Sequence, residues 1–177
     1  MPKKEAVRQV ALLRGVNVGG INLKMAEVAE VFRGLGLESV KTVLASGNVL
    51  FDSPRAPRTL VPEIEKGLRE RFGYEAWVQV RPVTEIKRII DAYPFPEQAG
   101  RHRYVVFAVS DEIVAELAAA AGGLDEQQEA VAAGDGVVYW TVERGSTLHS
   151  AFGKLTAKAR FKASTTTRNL NTLEKLT

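Results

Sequence analysis

Cysteine is absent from all 177 residues, which excludes disulfides, thiolate metal sites and a cysteine nucleophile. Histidine occurs only as His102 and His149, too few for a histidine-rich metal centre. No metal or cofactor is expected. His149 and Ser150 are neighbours, but no G-x-S-x-G elbow accompanies them, and no catalytic base is assigned. No run approaches about 18 apolar residues, and no basic leader precedes an apolar core. The chain is therefore expected to be soluble and cytoplasmic, without a membrane partner. Its apolar fraction of 45% is ordinary for a globular fold. A chain of this length buries roughly 70% of its unfolded surface, enough for a core without covalent support.

Charge is unevenly spread. Residues 144–177 hold Arg144, Lys154, Lys158, Arg160, Lys162, Arg168 and Lys175 against Glu174 alone. A basic end favours an anionic partner, although a solvated helix face is the plainer account of the individual lysines.

Periodicity sets out the elements. Residues 7–15 read as a buried strand. Met25, Val28, Val31, Phe32 and Leu35 follow at helical spacing, with Gly34 and Gly36 as stop signals. The run "VKTVLASGNVLFDS" gives two strands about a Ser-Gly-Asn turn. Leu60, Ile64, Leu68 and Phe72 mark a second helix, and "EAWVQVRPV" a fourth strand. This βαββαβ order is a ferredoxin-like unit.

Thr84 opens a further helix, which "PFPEQAG" breaks. Then come a strand over 104–110, an alanine-rich helix ending at Gly122-Gly123, and a hairpin about Gly134-Asp135-Gly136. A basic helix is expected from about His149 to Lys162, followed by a threonine-rich strand. Asn171 and Glu174 resemble a capping box for a terminal helix. The fold class expected is α+β, two ferredoxin-like units packed together. Residues 1–83 form the first, 84–103 a connector, and 104–177 the second with its basic end.

This topology places the loop after strand one beside the hairpin between strands two and three, so residues 15–24 and 45–48 should be neighbours. The chain has five asparagines, Asn17, Asn22, Asn48, Asn169 and Asn171. All fall in the glycine-rich loop, the Ser-Gly-Asn turn or the segment "TTTRNLNT". Asparagine supplies donors and an acceptor without charge and tolerates left-handed turns, which suits polar recognition or tight turns. In "RGVNVGGIN", Gly15 and Gly20 have the spacing of P-loop glycines, but Ile21-Asn22 replaces the Lys-Ser/Thr pair. What remains is a glycine-rich strand-to-helix turn, flanked by Arg14 and Lys24, whose N–H groups could converge on an anion. A simple bend accounts for the glycines equally well.

Together, "ALLRGVNVGG", "VLASGNVLFDS", "HSAFGKL" and "TTTRNLNT" resemble a bacterial family, domain of unknown function family 1697. The resemblance implies two ferredoxin-like halves and no established activity. By resemblance Arg14, Gly15, Asn17, Gly19 and Gly20 match its first motif, and Ser46, Gly47 and Asn48 its second. Ser150 and Lys154 match the third, and Thr166, Thr167, Arg168 and Asn169 the fourth. Leu170 departs from the pattern, which commonly has tryptophan there.

The function expected is binding of a small anionic, phosphorylated or nucleotide-like ligand at the glycine-rich loop. Arg14, Asn17, Ser46, Asn48, Lys154, Arg168 and Asn169 would line one pocket. Arg14, Lys154 and Arg168 could also steady a transferring oxyanion. An RNA-binding module is the alternative, with weak, non-specific contact to nucleic acid, because ferredoxin-like sheets often bind RNA. Against it, strand residues 7–14 and 48–53 hold one aromatic, Phe51, and no RNP1 pattern. A third possibility is a protein-interaction module using the helix at 111–121 or an open sheet edge. The sequence does not define the oligomeric state.

Overall fold

In a computed structural model of the chain, residues 4–14, 23–44 and 47–177 are described. Two compact units emerge, Met1–Ile86 with Leu176–Thr177, and Lys87–Lys175. Each contains one four-stranded antiparallel sheet.

The first unit runs β1 (Val7–Arg14), α1 (Met25–Gly34), β2 (Glu38–Val43), β3 (Asn48–Ser53), α2 (Pro57–Phe72) and β4 (Trp77–Pro82). Its strand order is β2-β3-β1-β4, the ferredoxin-like arrangement. Alternation along the strands sends Ala11, Leu13, Val49, Phe51, Val78 and Val80 to one face. Val28 and Phe32 of α1 meet them there, with Leu60, Ile64 and Leu68 of α2. These sit at spacings of four residues, which makes one apolar stripe per helix. Phe32 and Phe51 pack with ring centroids 5.9 Å apart. Each such buried side chain contributes roughly 1.5–3 kcal/mol.

From β4 the chain passes directly into α3 (Val83–Asp91) and on to β5 (Arg101–Ala108). Then follow α4 (Asp111–Ala118), extended by a 3-10 turn, β6 (Glu129–Ala133), β7 (Val137–Glu143), α5 (Ala151–Thr156), β8 (Thr165–Asn169) and α6 (Leu170–Glu174). The order β6-β7-β5-β8 repeats that of the first unit. Val106, Val138, Trp140 and Val142 of this sheet pack with Val114, Leu117, Phe152 and Phe161. The Tyr93 hydroxyl donates to Trp140 O at 2.7 Å, and that of Tyr139 donates to Ile89 O at 2.9 Å. These bonds fix the end of α3 to β7.

The two-unit α+β fold expected from the sequence is the one observed. Three boundaries differ. β5 starts at Arg101, not Tyr104, because Arg101, His102 and Arg103 pair with Glu143, Val142 and Thr141. The basic helix expected over 149–162 is α5 and a separate 3-10 turn, Ala159–Phe161. The terminal helix is capped by Asn169 rather than Asn171, since Asn169 Oδ1 accepts the Asn171 N–H at 2.9 Å. Among the described residues no helix is long and apolar enough to cross a membrane.

Candidate functional site

In the first unit, the described part of the expected site gathers where β1 ends. Leu12 lies opposite Asn48 in the β1–β3 register, and the Leu13 N–H donates to Gly47 O at 2.8 Å. Gly47 has φ +86°, a left-handed turn that glycine adopts without strain. Asn48 is fully buried, and its Nδ2 donates to Val43 O at 2.9 Å. That amide closes the hairpin, so Asn48 holds the turn in shape. Gly15, Asn17, Gly19, Gly20 and Ser46 lie outside the described residues.

Arg14 is half-buried at the last position of β1, opposite Trp77 of β4. Burial alone pushes its guanidinium pKa down. Among the described residues, no carboxylate forms an ion pair with it. The same end of the sheet carries features that no motif announced. Arg69 of α2 lies over the Trp77 ring, 4.8 Å from Cζ to centroid, and its Nη2 donates to Ala76 O at 2.9 Å. Glu65 Oε2 accepts the Val78 N–H on the edge strand at 3.0 Å, one way of covering an open sheet edge. Burial raises the Glu65 carboxyl pKa, opposed by the Val78 N–H and by Arg69. These partners come together only through α2 docking on β4, so spacing in the sequence carried no signal of them.

In the second unit, Ser150 is buried and caps α5, its Oγ accepting the Gly153 N–H at 3.0 Å. Lys154 is exposed on the same helix. On β8, Thr166 and Arg168 share one face and Thr167 and Asn169 the other, as strand alternation requires. Arg168 is buried, and its Nη1 donates to Thr166 Oγ1 at 2.6 Å and to Thr167 O at 3.0 Å. Asn169 caps α6 and lines a cleft with Arg101 and Arg144. Leu170 is only 2% exposed and serves as a core residue of α6.

A solved structure of a conserved bacterial protein from Streptococcus pneumoniae is similar to this chain, with a TM-score of 0.78 and 24% identity. The likeness covers 97% of each chain and establishes a common fold. No curated protein matches. The sequence pattern of one family matches residues 7–139, a span that holds the first two motifs and ends before Ser150. The chain belongs to the family described as Protein of unknown function (DUF1697).

Proposed function

We propose that the protein binds a small anionic ligand, phosphorylated or nucleotide-like, at the end of β1, with Arg14 as its anchor. The carrying observation is the half-buried Arg14 guanidinium, with no carboxylate paired to it among the described residues. Arginine stays protonated under ordinary conditions, and burying a charge without a counter-ion costs free energy. An oxyanion would supply that counter-ion, and the planar fork suits phosphate or carboxylate. The Gly47 turn abuts the same strand end. The glycines that follow Arg14 in sequence would let a ligand approach the main chain closely.

Two other readings lose support. RNA-binding ferredoxin-like sheets stack bases on exposed aromatics of their central strands. Phe51, the aromatic available on β1 and β3, is fully buried against Phe32. The alanine-rich helix directs Val114 and Leu117 into its own core, which removes its larger apolar residues from a docking face.

Thermal unfolding with inorganic phosphate and nucleoside monophosphates tests the reading. A ligand at about a hundredfold over its Kd stabilises by about 2.7 kcal/mol, a rise in Tm of roughly 5–10 °C for this size. Arg14→Ala should lose most of that rise. Arg58→Ala, an exposed change on α2, should keep it. An undiminished rise in Arg14→Ala would refute the assignment.

A further inference from the structure

The second unit contains a cleft of about 310 Å³ where β5 begins and where β7 and β8 end. We propose that it is a second anion site, taking a small phosphate monoester with a polar body. Arg101, Arg103 and Arg144 line it, with Glu97 as the single carboxylate. The lining therefore carries a net charge that a phosphate dianion would balance.

Each arginine is placed without being neutralised at close range. Arg101 Nη2 donates to the main-chain carbonyls of Glu126 and Gln127, neutral partners that orient the guanidinium and leave its charge in place. Arg103 lies over the Tyr93 ring at 5.8 Å. Its distance to Glu97 is 3.9 Å, and the Glu97 side chain is 84% exposed, so this pair is weak. The main-chain N–H of Arg144 donates to Gly100 O at 2.8 Å. That bond anchors the residue, while its side chain is exposed and forms no ion pair among the described residues.

Gln98, Asn169 and Asn171 add neutral amides to the wall. Asn169 Oδ1 is occupied by the α6 cap, which leaves its Nδ2 donors for a ligand. Amides beside arginines match a molecule with hydroxyls next to its phosphate. The volume lies at the low end of the roughly 300–1,000 Å³ of small-molecule sites, which suits a sugar phosphate better than a nucleoside triphosphate.

The site rests on residues of the second unit alone and is separate from the Arg14 proposal. Its test is calorimetric titration of the full chain with ribose 5-phosphate, inorganic phosphate and uncharged ribose. Phosphate-bearing probes should bind and ribose should not. Arg144→Ala, which removes no packing, should weaken ribose 5-phosphate by about tenfold, the worth of one charged hydrogen bond. Arg58→Ala, an exposed change in the first unit, should leave this binding unchanged. Amide resonances of Gly100 and Asn171 should shift on titration of the parent, and in Arg144→Ala only at about tenfold higher ligand concentration. The site is overturned by equal affinity in Arg144→Ala, by equal binding of ribose, or by ribose 5-phosphate binding that vanishes in Arg14→Ala and persists undiminished in Arg144→Ala. Capture only by vesicles containing phosphatidic acid, with no response to the soluble phosphates, would overturn it as well.

Discussion

The indole Nε1–H of Trp140 donates to Glu129 Oε1 at 3.0 Å, a hydrogen bond between two buried residues on adjacent strands. The other carboxylate oxygen accepts the Phe152 N–H at 3.3 Å, in the first turn of α5. One side chain thus joins β6, β7 and α5 inside the second core. Both of these partners are neutral N–H donors.

Glu129→Ala should therefore destabilise the second unit. It leaves two buried donors unpaired at about 1–3 kcal/mol each. The expected loss is about 2–4 kcal/mol, seen as a fall in Tm of roughly 5–15 °C. Glu129→Gln keeps one acceptor oxygen and should lose about half as much. Melting followed by circular dichroism checks both, and a Glu129→Ala protein that melts like the parent would discard the strap.

Gly153 supports the same helix from the other side. A Cβ built there would stand 1.9 Å from Thr147 O, a main-chain atom, and 3.0 Å from Ser150 Oγ. Gly153→Ala must push α5 away from the preceding loop and stretch the Ser150 cap. We expect a loss of at least about 3 kcal/mol in urea unfolding. Gly122→Ala meets nothing within 4 Å and should be neutral or stabilise by about 0.4–1 kcal/mol. Equal effects of the two substitutions would show that the close approach at Gly153 is relieved cheaply.

These contrasts mark what the sequence could reveal. The strand order follows from periodicities of two and nearly four residues with glycines between them, and the repeat is legible because both units use the same signals. Arg101, His102 and Arg103 carry no apolar alternation, so they read as connector, although they form the first turn-side residues of β5. The cleft was hidden for that reason. Arg101 and Arg103 sit in a strand end paired with the last residues of β7, and Arg144 and Asn169 reach the cleft from distant segments. The cap of α6 moved by two residues because Leu170 and Leu173 set the buried face, and their burial outweighs a capping-box pattern. Glu129 carries no signal of its role in the sequence, since its donors belong to two other elements.

Tyr74 offers a sharper case. Its ring packs against the first core, while its hydroxyl is buried with no hydrogen-bond partner among the described residues. Burial raises its phenol pKa. Tyr74→Phe removes the unpaired hydroxyl and opens little space, so stability should stay level or rise by up to about 1 kcal/mol. Chemical unfolding measures this directly, and a loss above about 1 kcal/mol would reveal a bond to the hydroxyl in solution.

Tyr93 should give the fold an alkaline limit. Its hydroxyl donates to Trp140 O at 2.7 Å and its ring meets Tyr139 edge-on at 5.2 Å. Burial holds its phenol pKa well above the ordinary value, with Arg103 opposing the shift. A phenol in the unfolded chain ionises near about pH 10. Below that, both states keep the proton and stability does not depend on it. Above it, the unfolded chain releases a proton that the folded one retains, so stability falls as pH rises towards the folded-state pKa. Tyr139 is shifted up by burial as well, with Asp135 adding to it, and contributes in the same direction. Tyr93→Phe should cost about 1 kcal/mol near neutral pH through the lost hydrogen bond. Its decline above about pH 10 should nevertheless be shallower than the parent's. Urea unfolding across that range would show the two curves converging. Parallel curves would mean that Tyr93 ionises alike in both states and that its burial sets no alkaline limit.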